Sequence, residues 1–122
     1  MFELDDDEFK EVVAQAIDDL PEEFRAKLDN VEVVVEEAPS REVRGRLPGR
    51  GLVLGLYQGI PHKARSSHYG LVLPDRISLY KRNIERVSSD RRQVYMQIKK
   101  TLLHEIGHHF SLSDRDLRDI GW

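Results

Sequence analysis

The stretch from Val94 to Phe110 constrains this chain more than any other. Val94, Ile98, Leu102, Ile106 and Phe110 recur at every fourth position. On a helix of 3.6 residues per turn such positions stack into one apolar ridge. Asp90, with Gln93 three residues later, has the form of a capping box, and Ser88 and Ser89 place turn-forming side chains just before it. The sequence therefore predicts a long helix opening at Asp90. Its ridge, with Thr101 alongside, has to be buried against a sheet. Gly107 is disfavoured inside such a helix by about 1 kcal/mol relative to Ala. It reads equally as a place where another backbone or a substrate comes close, or as simple tolerance.

The same helix carries His104-Glu105-Ile106-Gly107-His108. Residues four apart lie one above the other, offset by about 40°. His104 and His108 can therefore aim two neutral imidazoles at one cation, a geometry suited to Zn²⁺. Glu105 is turned about 100° from His104 and about 60° from His108. Its carboxylate then stands beside the metal, placed to take a proton from water without being a ligand. Asp114, six residues after His108, would close a tripod from outside the helix and leave the fourth position open, as catalysis requires. The plainer reading is a surface helix that happens to carry two histidines and a glutamate. The spacing favours zinc.

The scaffold can be read from periodicity. Phe9, Val12, Val13, Ala16, Ile17 and Leu20 keep helical spacing, with Asp5 to Asp7 at the favourable N-terminal end. Pro21 ends that helix and can begin a second, Pro21 to Leu28. Val31, Val33 and Val35 alternate with Glu32, Val34 and Glu36, a half-exposed strand. Residues 38–51 hold two prolines, three glycines and four arginines and read as a loop. Leu52 to Tyr57 is a buried type of strand, Gln58 to Ser67 a second loop, and Leu71 to Leu73 and Arg76 to Lys81 are short strands around Pro74. The order of elements predicts an α+β domain spanning 1–122, with a small mixed sheet packed against the long helix and the N-terminal helix.

Composition sets the surroundings. A chain of 122 residues is expected to form one domain around one modest core. There are no cysteines, so no disulfide or thiolate metal site, which suits a reducing compartment. No apolar run approaches the roughly 20 residues of a membrane span. The acidic stretch Glu3 to Glu8 is unlike a secretory leader, and a cytoplasmic protein is expected. Residues 1–40 carry 14 acids and 3 bases, net −11, and residues 41–122 carry 16 bases and 8 acids, net +8. A basic part can attract nucleic acid or acidic peptides. Two oppositely charged faces within one domain are the favoured reading.

Five stretches carry a resemblance: Ala16 to Phe24 (AIDDLPEEF), Asn30 to Glu36 (NVEVVVE), Leu54 to Pro61 (LGLYQGIP), Leu73 to Tyr80 (LPDRISLY) and His104 to Phe110 (HEIGHHF). The chain resembles the minimal zincin-like metallopeptidases of bacteria, and the last stretch is the most specific. The resemblance implies a zincin core, zinc ligands at His104, His108 and Asp114, and a catalytic Glu105. The ligand spacing is similar to that of metzincins, with two departures. Ser111 stands where that pattern has glycine, and no methionine follows the motif. Nor does any glutamate follow Glu105, so a third carboxylate ligand has to come from Asp114, Asp116 or Asp119. Asp114 has the spacing. Its other reading is the first-turn acid of a short helix capped by Ser113.

In zincins the strand at the cleft edge pairs with an extended substrate. By resemblance Ile77 to Tyr80, with Ile77, Leu79 and Tyr80 as contacts, is the candidate for that edge, an ordinary short strand being the other reading. Tyr57 and Tyr80 each offer a phenol to a tetrahedral oxyanion, or simply pack. His109 points about 100° away from His108 and is expected to hydrogen-bond at the helix end rather than to ligate. His62 and His68 lie in a loop without a partner at metal spacing.

The functional expectation is a zinc-dependent metallopeptidase acting on a peptide or protein. Three alternatives stand beside it: a zinc-binding sensor or interaction module without turnover, a zinc-dependent RNA hydrolase, and a metal-free helical interaction domain. Glu105 and Asp114 weigh against the RNA hydrolase, whose family lacks the glutamate and ends its ligand set in His. The sequence is silent on oligomeric state.

Overall fold

The computed structural model describes residues 2–46, 51–59 and 74–110. The first helix, α1 (Asp6–Asp18), is capped by Asp5, whose side chain accepts the Glu8 N–H at 2.8 Å. It buries Phe9, Val12, Val13 and Ala16. Pro21 is followed at once by α2 (Glu22–Lys27), which buries Phe24. Strand β1 (Val31–Glu36) is half-exposed as expected, with Glu32 and Glu36 outward, but Val34 is as covered as Val33 and Val35, so the alternation is incomplete.

Inside the stretch expected to be a loop lies a short helix, α3 (Arg41–Arg46). The Ser40 hydroxyl accepts the Val43 N–H at 3.1 Å, and Val43 itself is buried. One cap and one apolar anchor outweigh the glycines and arginines around them. Strand β2 is shorter than its apolar run, Gly55–Gln58 rather than Leu52 to Tyr57. Leu52 is exposed, and the Val53 carbonyl accepts the Asn83 side-chain amide at 2.8 Å instead of joining the ladder. The expected strand Leu71 to Leu73 and most of the Gln58 to Ser67 loop lie outside the described residues.

Strand β3 (Asp75–Tyr80) runs directly into α4 (Lys81–Arg86), a helix that the sequence pattern does not announce, since Arg76 to Lys81 reads as one strand. The reason is tertiary. Ile84 is fully buried, and Lys81 and Glu85, one turn apart, form an ion pair at 3.1 Å that is itself buried. Glu85 also accepts the Leu4 N–H at 2.7 Å, tying the segment before α1 to α4.

The long helix α5 (Arg91–His109) opens as expected. Asp90 accepts the Gln93 N–H at 2.8 Å, and the Gln93 side chain accepts the Ser89 N–H at 2.6 Å. Val94, Ile98, Leu102 and Ile106 are fully buried in one core with Phe9, Phe24, Ile77, Leu79 and Ile84. The ridge stops one step short of its expected end. Phe110 follows the last helical residue and is 39 % exposed, with the Lys27 ammonium 4.6 Å above its ring.

The sheet has the order β1-β3-β2, with β1 parallel and β2 antiparallel to β3. The result is an α+β fold with a small mixed sheet, as expected. The strand expected at the edge is nevertheless the central one. Ile77, Leu79 and Tyr80 are core residues, none more than 1 % exposed, and β3 spends its backbone groups on both neighbours. They cannot form a substrate-binding edge. Among the described strands, β2 is the edge beside α5. No described helix is long and apolar enough to cross a membrane.

Candidate functional site

Strand β2 lies along one stripe of α5, and the two repeats match. Four residues of helix rise about 6 Å, and two residues of antiparallel strand advance about 6.8 Å. Gly55, Tyr57 and Gly59 therefore meet Thr101, Glu105 and His109 in order. At Gly55 the approach is so close that a Cβ would sit 2.6 Å from Thr101 Cγ2 and 2.9 Å from the Ser78 carbonyl oxygen. Only glycine lets the backbone come this near.

Two residues on, the Tyr57 N–H donates to Glu105 Oε1 at 2.9 Å. The pairing of the sheet explains why that donor is available. The Tyr80 N–H donates to the Leu54 carbonyl at 2.9 Å, so position 54 belongs to a hydrogen-bonded pair. Bonded and non-bonded pairs alternate in an antiparallel ladder. Tyr57, opposite Ile77, then turns its N–H away from β3. Glu105 receives it.

The Tyr57 side chain is gripped as well. Its hydroxyl donates to Asp75 Oδ2 at 2.7 Å, and its ring stacks on the His109 imidazole at 3.8 Å with 12° between planes. His109 Nε2 lies 3.7 Å from the same Asp75 oxygen. A Cβ on Gly59 would be 3.8 Å from His109 Cε1, ordinary contact. His109 thus lies off the His104–His108 stripe, as its helical angle requires, and packs on β2 instead of serving only the helix end.

His104 and His108 occupy the next stripe. His104 is half-buried and His108 exposed, with ring centres 5.4 Å apart and 66° between planes. The spacing tests their fit to zinc. Bonds of about 2.0–2.1 Å, about 1.1 Å more to each ring centre and a tetrahedral angle of about 109° put two ring centres about 5.1 Å apart. The observed 5.4 Å is close to that separation, so the distance between the rings is compatible with one shared ion. Asp114, Asp116 and Asp119, with Ser111, Ser113, His62 and His68, lie outside the described residues. Among the described residues no three His, Asp or Glu side chains gather into a metal-holding group.

The two tyrosines separate. Tyr80 is buried, and burial first, then the Glu36 charge, raises its phenol pKa; a hydrogen bond with Ser78 opposes this and the Glu105 charge adds to it. It stays protonated in the core as a packing residue. Tyr57 stands at the site with its hydroxyl held by Asp75.

Asp75 and Gly55 are site residues that sequence reasoning misses, and it misses the roles of Thr101 and His109 toward β2. Part of the signal is visible. Thr101, Glu105 and His109 repeat every four residues just as the histidines do, and Gly55-x-Tyr57-x-Gly59 repeats every two. Nothing local shows that the two repeats face each other.

The sequence profile of the zincin-like metallopeptidase family matches residues 28–122. Among solved structures, a conserved hypothetical protein from T. thermophilus is 29 % identical and superposes with a TM-score of 0.51, over 84 % of this chain and 91 % of that one. No curated protein matches the chain.

Proposed function

The chain belongs to the zincin-like metallopeptidase family, and we propose that it is a zinc-dependent peptidase with Glu105 as its general base. His104, His108 and Asp114 would hold the metal. The observation that carries this reading is the placement of Glu105. Its carboxylate is anchored by the Tyr57 N–H at 2.9 Å, on the same helix as two imidazoles whose ring centres are 5.4 Å apart.

The chemistry a bound zinc ion supplies is Lewis acidity toward a carbonyl and toward water. The protein's own part is proton transfer. With Oε1 held by β2, Oε2 of Glu105 takes a proton from the attacking water, and the same carboxyl returns it to the departing amine nitrogen. Anchoring one oxygen fixes the direction in which the other points, which is how a general base gains from its surroundings. A peptide substrate would lie extended alongside β2, guided by that edge without a full ladder, since Glu105 itself takes the Tyr57 N–H. Tyr57 would contact it there, while Ile77, Leu79 and Tyr80 support the site from the core.

Zinc-loaded protein and its Glu105→Gln variant, tested on a mixed peptide library, decide the reading. Cleavage by the parent is expected, with turnover in the variant lower by about 10²–10⁴-fold and zinc content unchanged by elemental analysis. Equal turnover by parent and variant would remove Glu105 from the mechanism. A parent that binds zinc and cleaves no peptide would make the protein a zinc-binding module.

A further inference from the structure

We infer that Tyr57, Asp75 and His109 form a positioning clamp that fixes the Glu105 carboxylate through the backbone of β2. The inference deepens the proposed function and rests on it for its catalytic meaning. The clamp itself is a matter of contacts that can be measured without turnover.

The Tyr57 N–H can orient Glu105 only if residue 57 is itself fixed. Strand β2 is four residues long and has β3 on one side only among the described strands, the situation in which an edge frays most readily. Three contacts prevent this. Asp75, buried at the start of β3, lies two residues from Ile77, the cross-strand partner of Tyr57. That is the diagonal position an aromatic side chain reaches across a ladder, and the Tyr57 hydroxyl bonds to it at 2.7 Å. His109 stacks on the ring from the α5 side, one helical turn beyond Glu105. Its Nε2, 3.7 Å from Asp75 Oδ2, brings all three groups to one point. The Tyr57 ring is therefore held between the start of β3 and the last turn of α5. The backbone of the same residue then holds the carboxylate one turn earlier. His109 and Asp75 act through Tyr57 and touch no reacting atom, so they are positioning residues.

Amide hydrogen exchange of Tyr57, followed by NMR on the full chain without zinc and with it, tests the clamp. The Tyr57 amide of the parent is expected to be protected. Glu105→Ala should remove that protection, and Glu105→Gln should keep most of it, because a carboxamide oxygen still accepts. His109→Ala and Tyr57→Phe should each speed exchange at position 57 by about tenfold, the scale set by losing one hydrogen bond or equivalent contact. The amides of Leu79 and Ile98 in the core should not change. His109→Phe, which keeps a flat ring against Tyr57, should restore protection toward the parent. In turnover the His109→Ala variant should lower kcat and leave KM unchanged.

An unprotected Tyr57 amide in the parent would overturn the clamp, as would unchanged exchange at position 57 in both His109→Ala and Tyr57→Phe. Equal acceleration at Leu79 and Ile98 would also overturn it, since that signals a general loss of stability. A protected amide in a protein without turnover would sink the peptidase reading and leave the clamp standing. An unprotected amide in an active peptidase would do the reverse.

Discussion

One methyl group added at Gly55 tests whether β2 is held at the distance from α5 that brings Tyr57 to Glu105. In Gly55→Ala the new Cβ would sit 2.6 Å from Thr101 Cγ2 and 2.9 Å from the Ser78 carbonyl oxygen. Carbon atoms pack at about 3.5–4.0 Å, so one side must give by about 1 Å. Neither neighbour yields easily. Thr101 is branched at Cβ and stiff about χ1, and its hydroxyl donates to the Gln97 carbonyl at 2.7 Å. Ser78 O is main chain of the central strand. The strand that moves is β2. A displacement near 1 Å is enough to stretch the 2.9 Å Tyr57–Glu105 bond past the range of a useful hydrogen bond.

Overpacking of this kind costs about 1–3 kcal/mol, and the lower unfolded-chain entropy of alanine offsets about 0.4–1 kcal/mol of that. A net loss of about 1–2 kcal/mol corresponds to a fall in Tm of about 3–12 °C for a domain of this size. Thermal and urea denaturation measure it. The control is Thr101→Ser, which removes Cγ2 and keeps the hydroxyl. In the Gly55→Ala background it should recover part of the loss, leaving the share due to Ser78 O, so a double-mutant cycle should show coupling of about 0.5–1 kcal/mol. Two results would refute the reasoning: Gly55→Ala as stable as the parent within about 0.5 kcal/mol, or no coupling to Thr101.

The other predictions concern the metal, the buried ion pair and one surface carboxylate. Zinc titrations of Asp114→Ala, Asp116→Ala and Asp119→Ala should show weakened binding in the first alone; retention by Asp114→Ala with loss in another would move the third ligand. Glu85→Ala leaves the buried Lys81 ammonium with only the longer 3.9 Å contact to Asp6 and the Leu4 N–H without its acceptor, and should cost about 3–5 kcal/mol in urea denaturation; a loss below about 1 kcal/mol would show that water or Asp6 takes over. The Tyr95 hydroxyl first, and then the Gln15 side chain, hold the Asp19 carboxyl below its usual pKa. A depressed carboxyl contributes stability that is present above its unfolded pKa and lost as pH falls through the folded one. Tyr95→Phe should therefore raise the Asp19 pKa seen by NMR titration and flatten the acid limb of the stability profile, and an unmoved Asp19 would disprove the link.

What the sequence could disclose follows from how far each structure depends on distant residues. The ridge of α5, its cap and the histidine stripe are consequences of helical period alone, so they are legible, and α5 opens directly after the Asp90 cap. Helix α4 is not, because Lys81–Arg86 offers a single apolar residue, Ile84. Its stability comes from burying Ile84 together with the i, i+4 pair Lys81–Glu85, and that burial is what no local pattern shows. The burial of β3 leaves a trace that alternation arguments pass over. Ile77, Ser78, Leu79 and Tyr80 are buried without a break, the mark of a strand covered on both faces. Its place between β1 and β2 is a matter of pairing, which the burial of its faces does not report. Asp75 and Gly55 are hidden for a different reason. Their contacts depend on the register between β2, β3 and α5, and register is settled by the whole sheet.

The angular order of stripes on α5 explains how one helix can serve core, base and metal together. Each residue turns by about 100°. Taking the Ile98–Leu102–Ile106 ridge as origin, the Thr101–Glu105–His109 stripe lies about 60° to one side, and His104 with His108 about 140° to the same side. In the turn that carries the proposed base, burial follows that order: Ile106 is buried, Glu105 half-buried and His108 exposed. Strand β2 covers the middle stripe and so stands between the core and the histidines. A peptide guided along that side of β2 would pass the histidine stripe, with Glu105 at the strand's outer edge. The proposed base thus acts from a half-buried position, where its carboxylate is held by a backbone donor. That arrangement makes the β2 backbone, and the clamp that steadies it, as much a part of the proposed mechanism as the side chains of the motif.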